Sequence, residues 1–156
     1  MPDGYHVLTR RPQALYFHGG VAGLVVGSFL LPACEVEGVE DDDWYLPLSH
    51  PFCFVTTDLL QAFHSALNCE RERGSGTVYR VEPIGHLWLD EDDFGFNYAC
   101  RQARILAAMH VPSWAREAFK TDAHSWSEEW VQFSQPTAIE EDAVRRARKK
   151  LVARQR

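Results

Sequence analysis

The chain has 156 residues, 46% hydrophobic and 24% charged, close to the common single-domain size of roughly 100 to 150 residues and large enough to bury a core without disulfide or metal staples, which argues against extensive disorder. Its net charge of −6 is unevenly spread: all 22 acidic residues precede position 143, whereas Arg145, Arg146, Arg148, Lys149, Lys150, Arg154 and Arg156 follow it, so an acidic body disfavours general nucleic-acid binding and leaves only the basic tail able to touch a polyanion. No apolar run reaches the about 18 to 20 residues of a bilayer span, and Met1 to Arg11 lacks the basic-then-apolar order of a secretory signal, so the expectation is a soluble cytoplasmic protein.

Taken in chain order, Ala14 to Phe17 is a short apolar run that predicts a strand entering a permissive turn at His18-Gly19-Gly20. Val21 to Leu31 mixes Gly23 and Gly27 with apolar residues and predicts a short helix or turn returning to a strand, stopped at Pro32. Glu35 to Asp43 holds six acids in nine positions and is expected as a surface loop. Phe52 to Thr56 is aromatic and β-branched, which favours a strand. Thr57-Asp58 then supplies a helix start, and Leu59, Leu60, Phe63, Ala66 and Leu67 recur at helical spacing to about Cys69. Glu70 to Gly76 reads as a loop and Thr77 to Pro83 as a strand. Ile84 to Tyr98 is irregular and acidic, and Arg104 to Val111 suits either a strand or a buried helix.

After Pro112 the composition turns to tryptophan and charge. Trp114, Trp126 and Trp130 either pack added helices or form an apolar floor. Thr137 followed by Glu140 matches a capping box and predicts a final helix from about Ala138 to Arg154. The resulting class is α+β, with a domain over residues 1–112 and a helical extension with a basic tail over 113–156. The tail is either a solvated helix end that offsets the acidic body or a docking element. Cys34, Cys53, Cys69 and Cys100 show no Cys-x-x-Cys pair, so they are expected as reduced, partly buried residues. Pairings such as His50 with Cys53 or His64 with Cys69 supply too few ligands for zinc, and no metal is expected.

Three motifs stand in a distinctive order. Tyr16-Phe17-His18-Gly19-Gly20 comes first, Phe54-Val55-Thr56 opens a helix, and Val78-Tyr79-Arg80-Val81-Glu82-Pro83-Ile84-Gly85 leads to Asp90, eight positions beyond Glu82. This order resembles the rifamycin ADP-ribosyltransferase family, whose members read Tyr-Phe-His-Gly-Thr, Val-Tyr-Phe-Thr and Tyr-Val-Val-Glu-Pro-Thr-Gly before an aspartate-rich turn. The resemblance covers about positions 14 to 110 and implies a small ADP-ribosyltransferase-like fold with a split, strand-rich core around an NAD cleft and added C-terminal helices. It implies an enzyme of the glycosyltransferase class that cleaves NAD at the nicotinamide–ribose bond and passes ADP-ribose to an acceptor hydroxyl, a rifamycin-type antibiotic by family. His18 would hydrogen-bond a ribose hydroxyl, Gly19 would let its backbone approach the nicotinamide carboxamide, and Phe54 would stack on the nicotinamide ring. Asp90 would orient the acceptor and balance the oxocarbenium charge, with Asp92 and Asp93 as alternatives for that carboxylate. Thr56 either offers a hydroxyl to the cofactor or merely suits a strand.

Two departures qualify the resemblance. Gly20 stands where the family has threonine, and Phe54 stands where it has tyrosine, so two hydroxyls are missing. They open one alternative, a degenerate module that binds NAD or a partner without turnover; the basic tail opens another, a toxin-like transferase that modifies a macromolecule and docks through that tail.

Overall fold

A computed structural model describes residues 5–32, 52–90, 97–119 and 138–154. The expectations for Glu35 to Asp43, for Trp126 and Trp130, and for Glu91 to Asp93 lie outside the described residues. The described strands are β1 (Tyr5–Val7), β2 (Tyr16–Gly20), β3 (Phe29–Leu30), β4 (Cys53–Thr56), β5 (Thr77–Ile84), β6 (Trp88–Asp90), β7 (Asn97–Cys100) and β8 (Gln102–Met109). The described helices are α1 (Leu59–Arg73), α2 (Ser113–Ala118) and α3 (Ala138–Arg154). The strands form an antiparallel sheet in the order β1-β6-β7-β4-β2-β5-β8-β3, which makes the chain an α+β protein.

At its centre β2 pairs along its length with β5, from Tyr16 opposite Val81 to Gly20 opposite Thr77, and meets β4 at Phe17 opposite Thr56. The strand therefore runs on through Gly20, where the sequence suggested a turn at His18. The ladder to β5 satisfies the backbone there.

Helix α1 starts where the sequence placed it. The carboxylate of Asp58 accepts the Leu60 N–H, and Gly74, with φ of 85°, closes the far end by donating its N–H to the Glu70 carbonyl. The helix outruns its apolar stripe by a turn of polar residues, because the last hydrophobic position marks the end of the buried face rather than the end of the hydrogen-bond ladder. Leu59, Leu60, Ala62, Phe63, Ala66 and Leu67 bury that face against Phe17, Val78 and Met109, one side of the sheet, and Ala115, Ala143 and Ala147 join the same cluster from α2 and α3.

The other side of the sheet folds on itself. Tyr16, Val55, Tyr79, Val81, Tyr98, Cys100 and Ile105 form a second core together with Leu30, and the Cys53 thiol of β4 reaches the carbonyl of Leu30, at the far edge of the strand order, at 3.4 Å. Strands β7 and β8 are separated only by Arg101 yet are not neighbours, so the chain passes there from one half of the sheet to the other. The stretch expected over 104–111 as strand or buried helix is strand as far as Met109: Ala103 and Ile105 point inward while Gln102, Arg104 and Leu106 face out.

Candidate functional site

His18 sits on β2 directly opposite Tyr79 of β5, and the two rings lie with centroids 6.5 Å apart and planes inclined by 25°. Its Nδ1 is 2.8 Å from the carbonyl oxygen of Phe54. A carbonyl only accepts, so Nδ1 carries the ring proton and donates it, which leaves Nε2 of the neutral ring as an acceptor. Burial pushes the His18 pKa below the usual histidine range, and the Phe54 carbonyl offsets that only partly.

Gly20 sets the space around that acceptor. A Cβ at position 20 would stand 2.6 Å from His18 Nε2, so the imidazole lies where a threonine would project. The departure from the family pattern at this position and the placement of the imidazole are thus two sides of one arrangement.

Tyr79 stands in the third motif of the sequence but was given no role there, although its inward place in the stretch Thr77 to Pro83 was the available signal. Its hydroxyl donates to the Val21 carbonyl at 2.6 Å and accepts the Leu24 N–H at 3.1 Å. Burial raises its pKa, with the Leu24 N–H acting in the opposite direction. The ring beside His18 therefore also ties down the segment that leaves β2. That segment turns through Gly23 and Gly27, at φ of 92° and 91°, where only glycine is comfortable. It then joins β8 through the Gly27 N–H donated to the Ile105 carbonyl. Leu24, Val25 and Val26 lie exposed on it.

Phe54 meets His18 through its backbone. Its neighbours Cys53 and Val55 belong to the core cluster that holds Tyr79, so alternation along β4 turns the half-buried Phe54 ring to the opposite, α1 side of the sheet. Gly19 faces that side too: a Cβ there would lie 2.1 Å from the Ala62 carbonyl oxygen and 2.7 Å from the Ala66 nitrogen. What approaches closely at Gly19 is helix α1. Thr56 is buried opposite Phe17, and its hydroxyl accepts the Asp58 N–H at 3.0 Å, in the turn that opens α1.

Asp90 ends β6, where its backbone pairs with Tyr5 of β1. Strands β7 and β4 stand between β6 and β2 in the strand order. The structure thus brings His18 to the backbone of Phe54 and to the ring of Tyr79, and sets the Asp90 backbone three strands away. A cleft of about 560 Å³ opens at the other end of the β2–β5 pair, lined by Arg11, Tyr16, Arg80, Glu82 and Leu106 among others. Among the described residues no group of three or more His, Cys, Asp or Glu side chains could hold a metal ion, and no helix is long and apolar enough to cross a membrane.

No protein-family model matches the chain, and no curated protein matches it. What the chain does is therefore to be judged from His18 and the groups around it.

Proposed function

We propose that the chain is a mono-ADP-ribosyltransferase that takes ADP-ribose from NAD. The observation that carries the reading is the oriented, neutral imidazole of His18, with Nδ1–H spent on the Phe54 carbonyl and Nε2 kept as an acceptor beside a residue without a side chain. Breaking the nicotinamide–ribose bond sends its electron pair to the departing nicotinamide and develops positive charge at the ribose C1′. An imidazole held uncharged by burial can take a hydrogen bond from a ribose hydroxyl without adding a second positive charge to that sugar.

The acceptor hydroxyl then forms the new bond to C1′ and hands its proton to the carboxylate that orients it. Asp90 is the carboxylate proposed to orient it, and Asp92 or Asp93 is the alternative. Leu24, Val25 and Val26, exposed on the segment anchored by Tyr79, suit an apolar acceptor such as the rifamycin-type antibiotic implied by the resemblance. Modification of such a compound would make the chain an antibiotic-resistance enzyme.

A second reading has its own support. The Phe54 ring lies on the α1 side of the sheet and the Asp90 strand lies three strands from β2, an arrangement that also suits a module that holds NAD and does not turn it over. Nicotinamide release during incubation with NAD separates the two. Under the transferase reading release is well above background, and His18→Ala lowers it roughly 10- to 100-fold, the value of one lost hydrogen bond in the transition state, with the circular dichroism unchanged. Release that is the same in both proteins would reject His18 as part of the site, and NAD binding without release would favour the module.

A further inference from the structure

We propose that Cys53 and Cys100 are a redox pair that closes into a reversible cross-strand disulfide between β4 and β7. The two residues stand directly opposite each other in the β4–β7 ladder. Directly opposed residues of an antiparallel pair have Cα atoms about 4.5 to 5.5 Å apart and side chains on one face, within the window of about 4.4 to 6.8 Å that a disulfide spans. Both belong to the same buried cluster, and no disulfide joins them. The sequence hides the pair, because 47 positions separate the two residues and only the strand register makes them neighbours. This inference does not depend on the transferase reading.

The surroundings give the two sulfurs different parts. The Cys53 thiol lies 3.4 Å from the Leu30 carbonyl of β3, a strand of two residues at the edge of the sheet. Fraying of so short an edge is a low-energy local opening, and it uncovers Cys53 first. Cys100 is fully buried, and burial pushes its thiol up to about 12, which makes it the slower, resolving partner.

With hydrogen peroxide as the oxidant, the Cys53 thiolate attacks one peroxide oxygen, an S–O bond forms, the O–O bond breaks, and the departing hydroxide takes a proton to become water. The Cys100 sulfur then displaces the sulfenic hydroxyl, which leaves as a second water with the Cys100 proton, and the S–S bond forms. Two thiols are oxidised and one peroxide is reduced to two waters. Reduction by an added dithiol restores both thiols. Cys53 adjoins Phe54, whose carbonyl orients His18, so the staple would act on the strand that holds the imidazole in place.

The test treats the full chain, folded, with hydrogen peroxide, then denatures and alkylates it. The thiol count is expected to fall from four to two and return to four after dithiothreitol, and peptide mass spectrometry is expected to show a Cys53–Cys100 crosslink. Cys69→Ser should leave that crosslink intact, and Cys100→Val should abolish it. Four alkylated thiols after peroxide, a crosslink that instead involves Cys34 or Cys69, or sulfinic acid at Cys53 in the wild-type chain would each overturn the proposal.

Discussion

His18 is one residue whose character is set by two others. Its identity as a candidate was legible in the motif at positions 16–20, but its tautomer was not, because the deciding acceptor is a backbone carbonyl 36 positions along the chain. The same burial that keeps the ring neutral makes stability depend on pH. The folded pKa is lowered from the ordinary value of 6.5, so on acidification the unfolded chain takes up its proton first and stability falls below about pH 6.5, whereas above it both states are neutral and the contribution is whole. His64, also shifted down by partial burial and by Arg71, gives a slope of the same sign. We therefore expect the urea midpoint of the wild-type chain to fall between about pH 7.5 and 5.5, and to fall less in His18→Asn, which keeps a donor for the Phe54 carbonyl and loses the titration. Equal slopes in the two proteins would mean that the imidazole is not held neutral.

At the scale of elements, α1 is the piece that sequence reasoning located best. An Asp58 cap and a stripe of apolar residues at three- and four-residue intervals are local signals, and they define where the helix begins and which face it buries. How closely it lies on the sheet is a matter of two glycines distant from it in sequence. A Cβ at Gly19 would meet the Ala62 carbonyl oxygen at 2.1 Å, and one at Gly76 the Ala66 carbonyl oxygen at 1.9 Å. Backbone cannot rotate away as a side-chain tip can. Gly19→Ala is therefore expected to destabilise by about 1 to 3 kcal/mol or more, through a forced shift of α1 off β2. Chemical denaturation measures this, and a loss under about 0.5 kcal/mol would show that the helix has room to spare. By contrast β6 and β7 span three and four residues, too short for alternation to show in the stretch from Ile84 to Tyr98.

Over the whole molecule, the division of charge into an acidic body and a basic tail turns into contact. Lys150 of α3 lies 2.9 Å from Asp58, whose other carboxylate oxygen caps α1, while Ala143 and Ala147 sit in the core with α1. Arg145 and Arg146 pair with Asp142 of their own helix, and Arg148 lies over the Trp114 ring. Trp114 in turn packs edge-on against Phe63, so this tryptophan serves packing. The buried Asp58 answers to two partners at once, so Asp58→Ala is expected to cost about 1 to 3 kcal/mol, a cap of about 1 plus a lost ion pair. Lys150→Met, which removes a half-exposed partner, is expected to cost less than about 1 kcal/mol. If the lysine variant proved as costly as the aspartate one in thermal denaturation, the cap would have no share in holding α1.

By itself the sequence determined the mixed class, the span of α1 to within a turn and the C-terminal helix, because capping and periodicity are carried by neighbours along the chain. Only the tertiary structure decided that β2 continues through its glycines, that the Phe54 carbonyl rather than its ring meets His18, that Asp90 ends a strand three places away, and that Cys53 faces Cys100. Each of those depends on strand order and register, which are settled by burying two faces of one sheet at once, and no local pattern encodes that balance.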